Sequence, residues 1–334
     1  MLRSQAMKHD LDFDPTYGYD LQKLLTVPAP EGPGDFAGFW RRTYAENAAL
    51  PIELASREIS GNDSFRVFEV EFNSLGTDRL GSGWPADAEP FRTGGWIILP
   101  RDGKVERGFV IGHGYGGREA PELSLPAPRA AAIYPCARGF HRSARPELPN
   151  TGANHVRFGI ESRETYLHRG CVAEIWSAVS ALISFAPEAA VKMEYSGSSF
   201  GGGIGAMALP WEKRIQRAYL SVPSFGNHPL RVTLKCNGSG ESIRLLHRRR
   251  PEIMEVLAYF DSATAARHIE IPVLFANALF DPAVPPPGQF AVYNAVTSEK
   301  ELFVHEAGHF TWPGQAEEDE RLNVTVRLWY QRSA

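Results

Sequence analysis

The stretch KMEYSGSSFGGGIG, residues 192–205, decides how the rest of the chain is read. A short run of strand character, VKMEY, enters a turn crowded with glycine and serine. GGGIGAMAL then leaves it as a helix that Pro210 brings to an end. Of the three serines only Ser199 has glycine at both −2 and +2, in Gly197-Ser198-Ser199-Phe200-Gly201; Ser196 and Ser198 lack that spacing. The spacing has a mechanical reason. A sharp strand-to-helix turn holds its central serine at strained backbone angles, and side chains at the flanking positions would collide with neighbouring chain. The hydroxyl then stands beside a helix N-terminus, where developing negative charge is favoured.

A serine hydroxyl attacks poorly until a base takes its proton, so a turn of this kind predicts an acid and then a histidine further along the chain. IPVLFANALFDPAVPPP places Asp281 at the end of an expected strand. ELFVHEAGHFTW offers two histidines. His305 falls inside the alternating strand pattern and reads as a packed or surface residue. His309, beyond Ala-Gly in the following loop, is the expected base. Asp261, in AYFDSATAARH, competes with Asp281 but reads as a helix cap. Upstream, GFVIGHGYGGREAPE carries an HG-type loop directly after a buried strand. Its Tyr115 N–H, with the N–H of Phe200, is the expected oxyanion hole, and His113 is assigned a structural hydrogen bond in the loop.

The surrounding pattern supports a mostly parallel central sheet. PGDFAGFWRRTYAENAAL reads as a helix capped by Asp35 with Phe36, Phe39 and Trp40 on one face. In FRVFEVEFNS, Phe68, Val70 and Phe72 alternate with charged neighbours, as in a half-buried antiparallel strand. GGWIILPRDGKVERGFVIGHG reads as strand, turn and strand. From there strands at 108–112, 130–136, 191–196, 215–222, 271–279 and 301–307 alternate with helices, one carrying the stripe Val172, Ile175, Trp176, Val179, Leu182 and Ile183. Such alternation gives an α/β fold with helices on both faces. The expected organisation is a single domain with an N-terminal extension over about residues 1–60 and a cap-like helical insertion over about 223–268.

Composition narrows the function classes. With 35 Lys and Arg against 39 Asp and Glu, the net charge of −4 gives no basic surface for nucleic acid. The one basic run, RLLHRRRPE at 244–252, reads as a solvated helix face or a subunit contact. AEEDER at 316–321 suits the first turn of a C-terminal helix. Three scattered cysteines form no CxxC pair, so no metal site and no disulfide framework is expected. The first thirty residues hold no apolar core of a leader, and no run is long enough to span a bilayer, so a cytoplasmic protein without membrane contact is expected.

HGYGG (113–117), ARGF (137–140), YLHRG (166–170), GSSFGGG (197–203), AYFD (258–261), LFDPAVPPPGQFAVYN (279–294) and GHF (308–310) follow one another in an order that resembles carbohydrate esterase family seven. That family holds the acetylxylan esterases and cephalosporin-C deacetylases. The resemblance runs from DFAGFW at Asp35 to the C-terminus, and PPPGQFAVYN is its most specific part. It implies an α/β-hydrolase fold, Ser199 as nucleophile, Asp281 and His309 as its partners, and Tyr115 and Phe200 as oxyanion amides. It also implies removal of short acyl, above all acetyl, groups from small sugars or antibiotics, no cofactor, and a homo-hexamer. Five positions depart from the family: Phe140 stands for Gln, Phe200 for the Gln after the serine, Phe310 for Glu, and Pro287-Gly288 for Ser-Thr. Phe140 and Phe200 predict a more apolar pocket than a sugar deacetylase needs. The rival readings are an esterase or amidase for other acyl or aryl esters, and a catalytically silent α/β-hydrolase used as a binding protein.

Overall fold

The strands Ala55–Gly61 (β1), Phe65–Ser74 (β2), Phe91–Pro100 (β3), Arg107–Ile111 (β4), Ala130–Pro135 (β5), Met193–Ser198 (β6), Ile215–Ser221 (β7), Val273–Phe280 (β8) and Lys300–Ala307 (β9) form one sheet in the order β1-β2-β3-β5-β4-β6-β7-β8-β9. The computed structural model describes residues 7–76 and 89–332. From β5 across to β9 every pairing is parallel; β1, β2 and β3 add an antiparallel flank. β3 and β4 are joined by a short turn yet do not pair, because β5 lies between them. Parallel strands need apolar cover on both faces, and β5 (AAAIYP) is buried at every position.

One face of the sheet packs on the helices Phe36–Ala48, Leu167–Phe185 and Phe200–Ala208; the other is covered by the C-terminal helix Gln315–Gln331. Of the predicted stripe, Val172, Ile175, Trp176, Val179 and Leu182 are in the core and Ile183 is half-buried. Indole N–H groups tie the layers together, Trp176 donating to Ala208 O at 3.0 Å and Trp329 to Ala218 O at 3.0 Å. The 223–268 stretch consists of the short helices His228–Arg231, Ser239–His247, Ile253–Leu257 and Ser262–Ala266 with loops between.

Three local expectations change. β1, ASREISG, is exposed throughout and has one large apolar residue, so its sequence gives no alternation. It forms on the β2 ladder with Arg57–Glu69 and Arg66–Glu58 pairs across it. Asp35 does not cap its helix: its ψ of 13° lies outside the extended range of a side-chain cap, and its carboxylate takes Arg163 and the Tyr259 hydroxyl. The basic run is not wholly solvated, since Arg244 is buried against Glu241.

A buried ion pair fastens the loop after β5 to the long helix. Arg138 Nε meets Glu174 Oε1 at 2.7 Å, Nη2 donates to Leu75 O at 2.9 Å, and the guanidinium lies 4.4 Å from the Phe91 ring centre. Neither residue touches solvent appreciably. Glu174→Ala leaves this guanidinium buried and uncompensated and is expected to cost about 3–5 kcal/mol, read as a lower urea midpoint at unchanged slope.

Candidate active site

Ser199 follows β6 and precedes the helix Phe200–Ala208, and its backbone sits at φ +54°, ψ −114°. Its N–H donates to Ser221 O at 2.9 Å, and its carbonyl accepts from Gly203 N–H at 3.0 Å and Ser224 N–H at 3.1 Å. These bonds hold an L-residue where it does not rest alone. The flanking glycines answer to close approach: a Cβ on Gly197 would come within 2.6 Å of Gly201 O, and one on Gly201 within 2.9 Å of His113 O.

The parallel strands bring the partners to the same edge of the sheet. Asp281 directly follows β8 and His309 lies two residues past β9. His309 Nε2 is 3.0 Å from Ser199 Oγ, and its Nδ1 is 2.8 Å from Asp281 Oδ2. With Nδ1–H donating to the carboxylate, Nε2 is left to accept the serine proton. Burial lowers the imidazole pKa, but the hydrogen bond and charge of Asp281 outweigh it and leave His309 above its ordinary value. The Asp281 carboxylate is fully buried. Oδ1 accepts from the N–H groups of Ala283 and Val284, both at 2.9 Å, and Oδ2 from Gln289 Nε2 at 3.0 Å.

Gln289 was not singled out from the sequence. It is fully buried, and its Oε1 accepts from Ala278 N–H at 2.8 Å while Nε2 also donates to Val284 O at 2.7 Å. It thereby fixes the Asp281 loop to β8. Its only signal was its place in PPPGQFAVYN. A second unanticipated support comes from the N-terminal segment, whose Pro15 O accepts the Asp281 N–H at 3.2 Å. Nearby, Tyr17 Oη donates to Lys235 O at 2.7 Å, and His9 packs on Phe280, itself 4.9 Å from the half-buried Phe310 ring.

Tyr115 lies four residues past β4, in a loop close enough to the elbow that a Cβ on Gly114 would be 3.9 Å from Ser199 Cβ. Neither Tyr115 N–H nor Phe200 N–H has a hydrogen-bond acceptor among the described residues. His113 has the structural role expected of it. Nδ1 donates to Gly114 O at 2.7 Å, Nε2 accepts Ala137 N–H at 2.9 Å, and burial pushes the imidazole down to about 4, so it is neutral. His305 is buried against Glu318, with Nδ1 2.7 Å from Oε2. Asp261 caps the helix Ser262–Ala266, accepting from Ala263 N–H at 2.9 Å and Thr264 N–H at 3.0 Å.

Phe140 and Phe200 do not line an open pocket. They are 4 % and 2 % exposed and both pack on His155 in one buried cluster, with the Tyr115 ring tilted against Phe200 at 4.3 Å. His168 bonds the Tyr115 hydroxyl at 3.0 Å. Burial pushes His155 and His228 down to about 3 and His168 well below its ordinary range, so the cluster is uncharged. Among the described residues no three His, Cys, Asp or Glu side chains gather as a metal site, and no helix is long and apolar enough to cross a membrane.

Gly308 precedes His309, and a Cβ there would stand 2.5 Å from Asp281 Oδ2. Gly308→Ala is expected to push the carboxylate off the imidazole, cutting kcat about 100-fold with little loss of thermal stability. Steady-state rates beside a melting curve check it.

Residues 19–326 match the sequence profile of the acetyl xylan esterase family (AXE1). The acetyl esterase Axe7A of Xylanibacter ruminicola is 20 % identical over an alignment 326 residues long that covers 92 % of this chain and 69 % of that protein. The fold is shared with acetyl xylan esterase 1 of Thermoanaerobacterium sp. JW/SL YS485, at a TM-score of 0.77 and 20 % identity over 94 % of this chain and 99 % of that one. It is shared also with the acetyl xylan esterase of Paenibacillus sp. R4, at 0.76 and 23 % over 92 % and 99 %. The matched residues contain all nine strands and the five site positions, and the chain belongs to the acetyl xylan esterase family.

Proposed function

We propose that the protein removes acetyl groups from small hydroxylated compounds, acetylated sugars among them, through an acyl-enzyme on Ser199. The family makes the chain a carboxylic ester hydrolase; the assignment of roles rests on the site. One observation carries it: a strained Ser199 whose Oγ lies 3.0 Å from His309 Nε2, with Asp281 2.8 Å behind the ring.

Ser199 Oγ attacks the ester carbonyl while His309 Nε2 takes its proton. Asp281 holds the Nδ1–H tautomer and stabilises the imidazolium that forms. The oxyanion accepts from the N–H groups of Tyr115 and Phe200. His309 returns the proton to the leaving alcohol, and a water activated by the same nitrogen releases acetate. The reading includes a cytoplasmic homo-oligomer, a hexamer by resemblance to its family, in which Cys136, Cys171 and Cys236 stay buried free thiols. Light scattering on the eluted protein tests the assembly.

Ser199→Ala is expected to lower acetate release from an acetylated xylo-oligosaccharide or aryl acetate by about 10⁴-fold or more while the circular dichroism stays unchanged; full turnover by that variant sinks the assignment. The base must be neutral to act, and the hydrogen bond and charge of Asp281 hold its pKa above the ordinary imidazole value. So kcat/KM should fall as pH drops through a value above that of a free imidazole and level off on the alkaline side. Asp281→Asn should shift that inflection downward and reduce kcat.

A further inference from the structure

Arg231 ends the helix His228–Arg231 and is 3 % exposed, yet its Nε and Nη1 have no hydrogen-bond partner. Among the described residues no carboxylate lies within 4 Å of it. The other buried arginines are all engaged. Arg138 meets Glu174 at 2.7 Å, Arg244 meets Glu241 at 2.6 Å, and Arg217 donates to Trp329 O at 2.9 Å. The acids on the elements packed against Arg231 are already committed. Asp261 accepts from the N–H groups of Asn227, His228, Ala263 and Thr264; Glu241 grips Arg244; Asp281 holds His309. A buried guanidinium without a counter-ion costs several kcal/mol, and this fold avoids that cost at its other buried arginines.

The position ties this charge to the reaction. The guanidinium lies 5.4 Å from the Phe225 ring centre, and that ring neighbours Phe200 at 6.0 Å, Tyr115 at 6.3 Å and His168 at 4.6 Å. Ser224, adjacent to Phe225, donates its N–H to Ser199 O. On its other side Gly240 passes so close that a Cβ would sit 2.8 Å from Nη2. The chain leading to Gly240 rests on the acid loop, Asn237 N–H donating to Pro282 O at 2.6 Å. Arg231 thus stands between Phe225, which packs on Tyr115 and Phe200, and Gly240, whose preceding chain rests on the Asp281 loop.

We propose that Arg231 anchors a carboxylate carried by the ester, so that the preferred substrates are O-acetylated hydroxy acids, sugar acids among them, rather than neutral acetyl esters. The planar fork of arginine suits a carboxylate in two-pronged contact, and desolvation by the surrounding wall strengthens that contact. The proposal rests on the ester-hydrolase reading above and names which esters that site prefers.

The test uses two matched pairs, 3- and 4-acetoxybenzoate against 3- and 4-acetoxybenzamide, which differ in one negative charge. In the wild-type protein kcat/KM for the carboxylate of at least one pair should exceed that for its carboxamide by about 30-fold, mainly through KM. Arg231→Gln should bring that ratio to about one, and Arg231→Lys, which keeps the charge without the fork, should retain part of it. A wild-type ratio of one or less in both pairs overturns the proposal without any variant. So does a ratio that survives Arg231→Gln. Equal hydrolysis of all four esters leaves the hydrolase reading standing and removes only this one; hydrolysis of none removes both.

Discussion

The arrangement depends on one backbone constraint, the left-handed conformation of Ser199. Holding an L-residue there costs about 1–3 kcal/mol, and three backbone hydrogen bonds from Ser221, Gly203 and Ser224 offset it. Two of those partners belong to β7 and the segment beyond it, so the elbow is set by the neighbouring strand as much as by its own glycines. The same constraint sets the first turn of the following helix beside the loop after β4, where a Cβ on Gly114 would lie 3.9 Å from Ser199 Cβ. Parallel pairing from β4 to β9 does the rest, delivering Asp281 and His309 to the edge where Ser199 stands.

Beneath that edge the protein replaces polar contacts with a neutral aromatic layer. Phe140 and Phe200 are far apart in sequence but share His113, His155 and Tyr115 as neighbours. Where two positions that carry amides in the resembling family both become aromatic among shared neighbours, neither leaves the other an unsatisfied partner. The histidines in the layer are held uncharged by burial, each spending a nitrogen on a carbonyl or the Tyr115 hydroxyl. The layer packs on Tyr115 and Phe200, and the charge of Arg231 beside Phe225 is the exception to its neutrality.

How much of this the sequence revealed follows from where each residue sits. Ser199, Asp281 and His309 were legible because each ends a strand, and strand ends in a parallel sheet converge. Asp261 was legible as a cap because Ser-Ala-Thr follows it. Gln289 and the Pro15 carbonyl were not, since one is a helix residue whose partner lies across a loop and the other a backbone atom without a side-chain signature. Phe140 and Phe200 were misplaced into the pocket because spacing gives a residue's neighbours along the chain and not the direction of its ring. β1 was missed for the converse reason: an edge strand exposed on both faces carries no periodicity.

The bond from Asp281 N–H to Pro15 O joins the beginning of the described chain to a residue near its end. Contacts of such sequence separation are slow to form, because the intervening loop must close before they return any stability. The nucleophile turn, by contrast, closes over shorter separations, Ser199 bonding Gly203, Ser221 and Ser224. During synthesis the serine can be shaped while its acid and base are still unmade, and the N-terminal segment must wait until both have left the ribosome. The N-terminal support of the acid loop is thereby among the last contacts this chain can make.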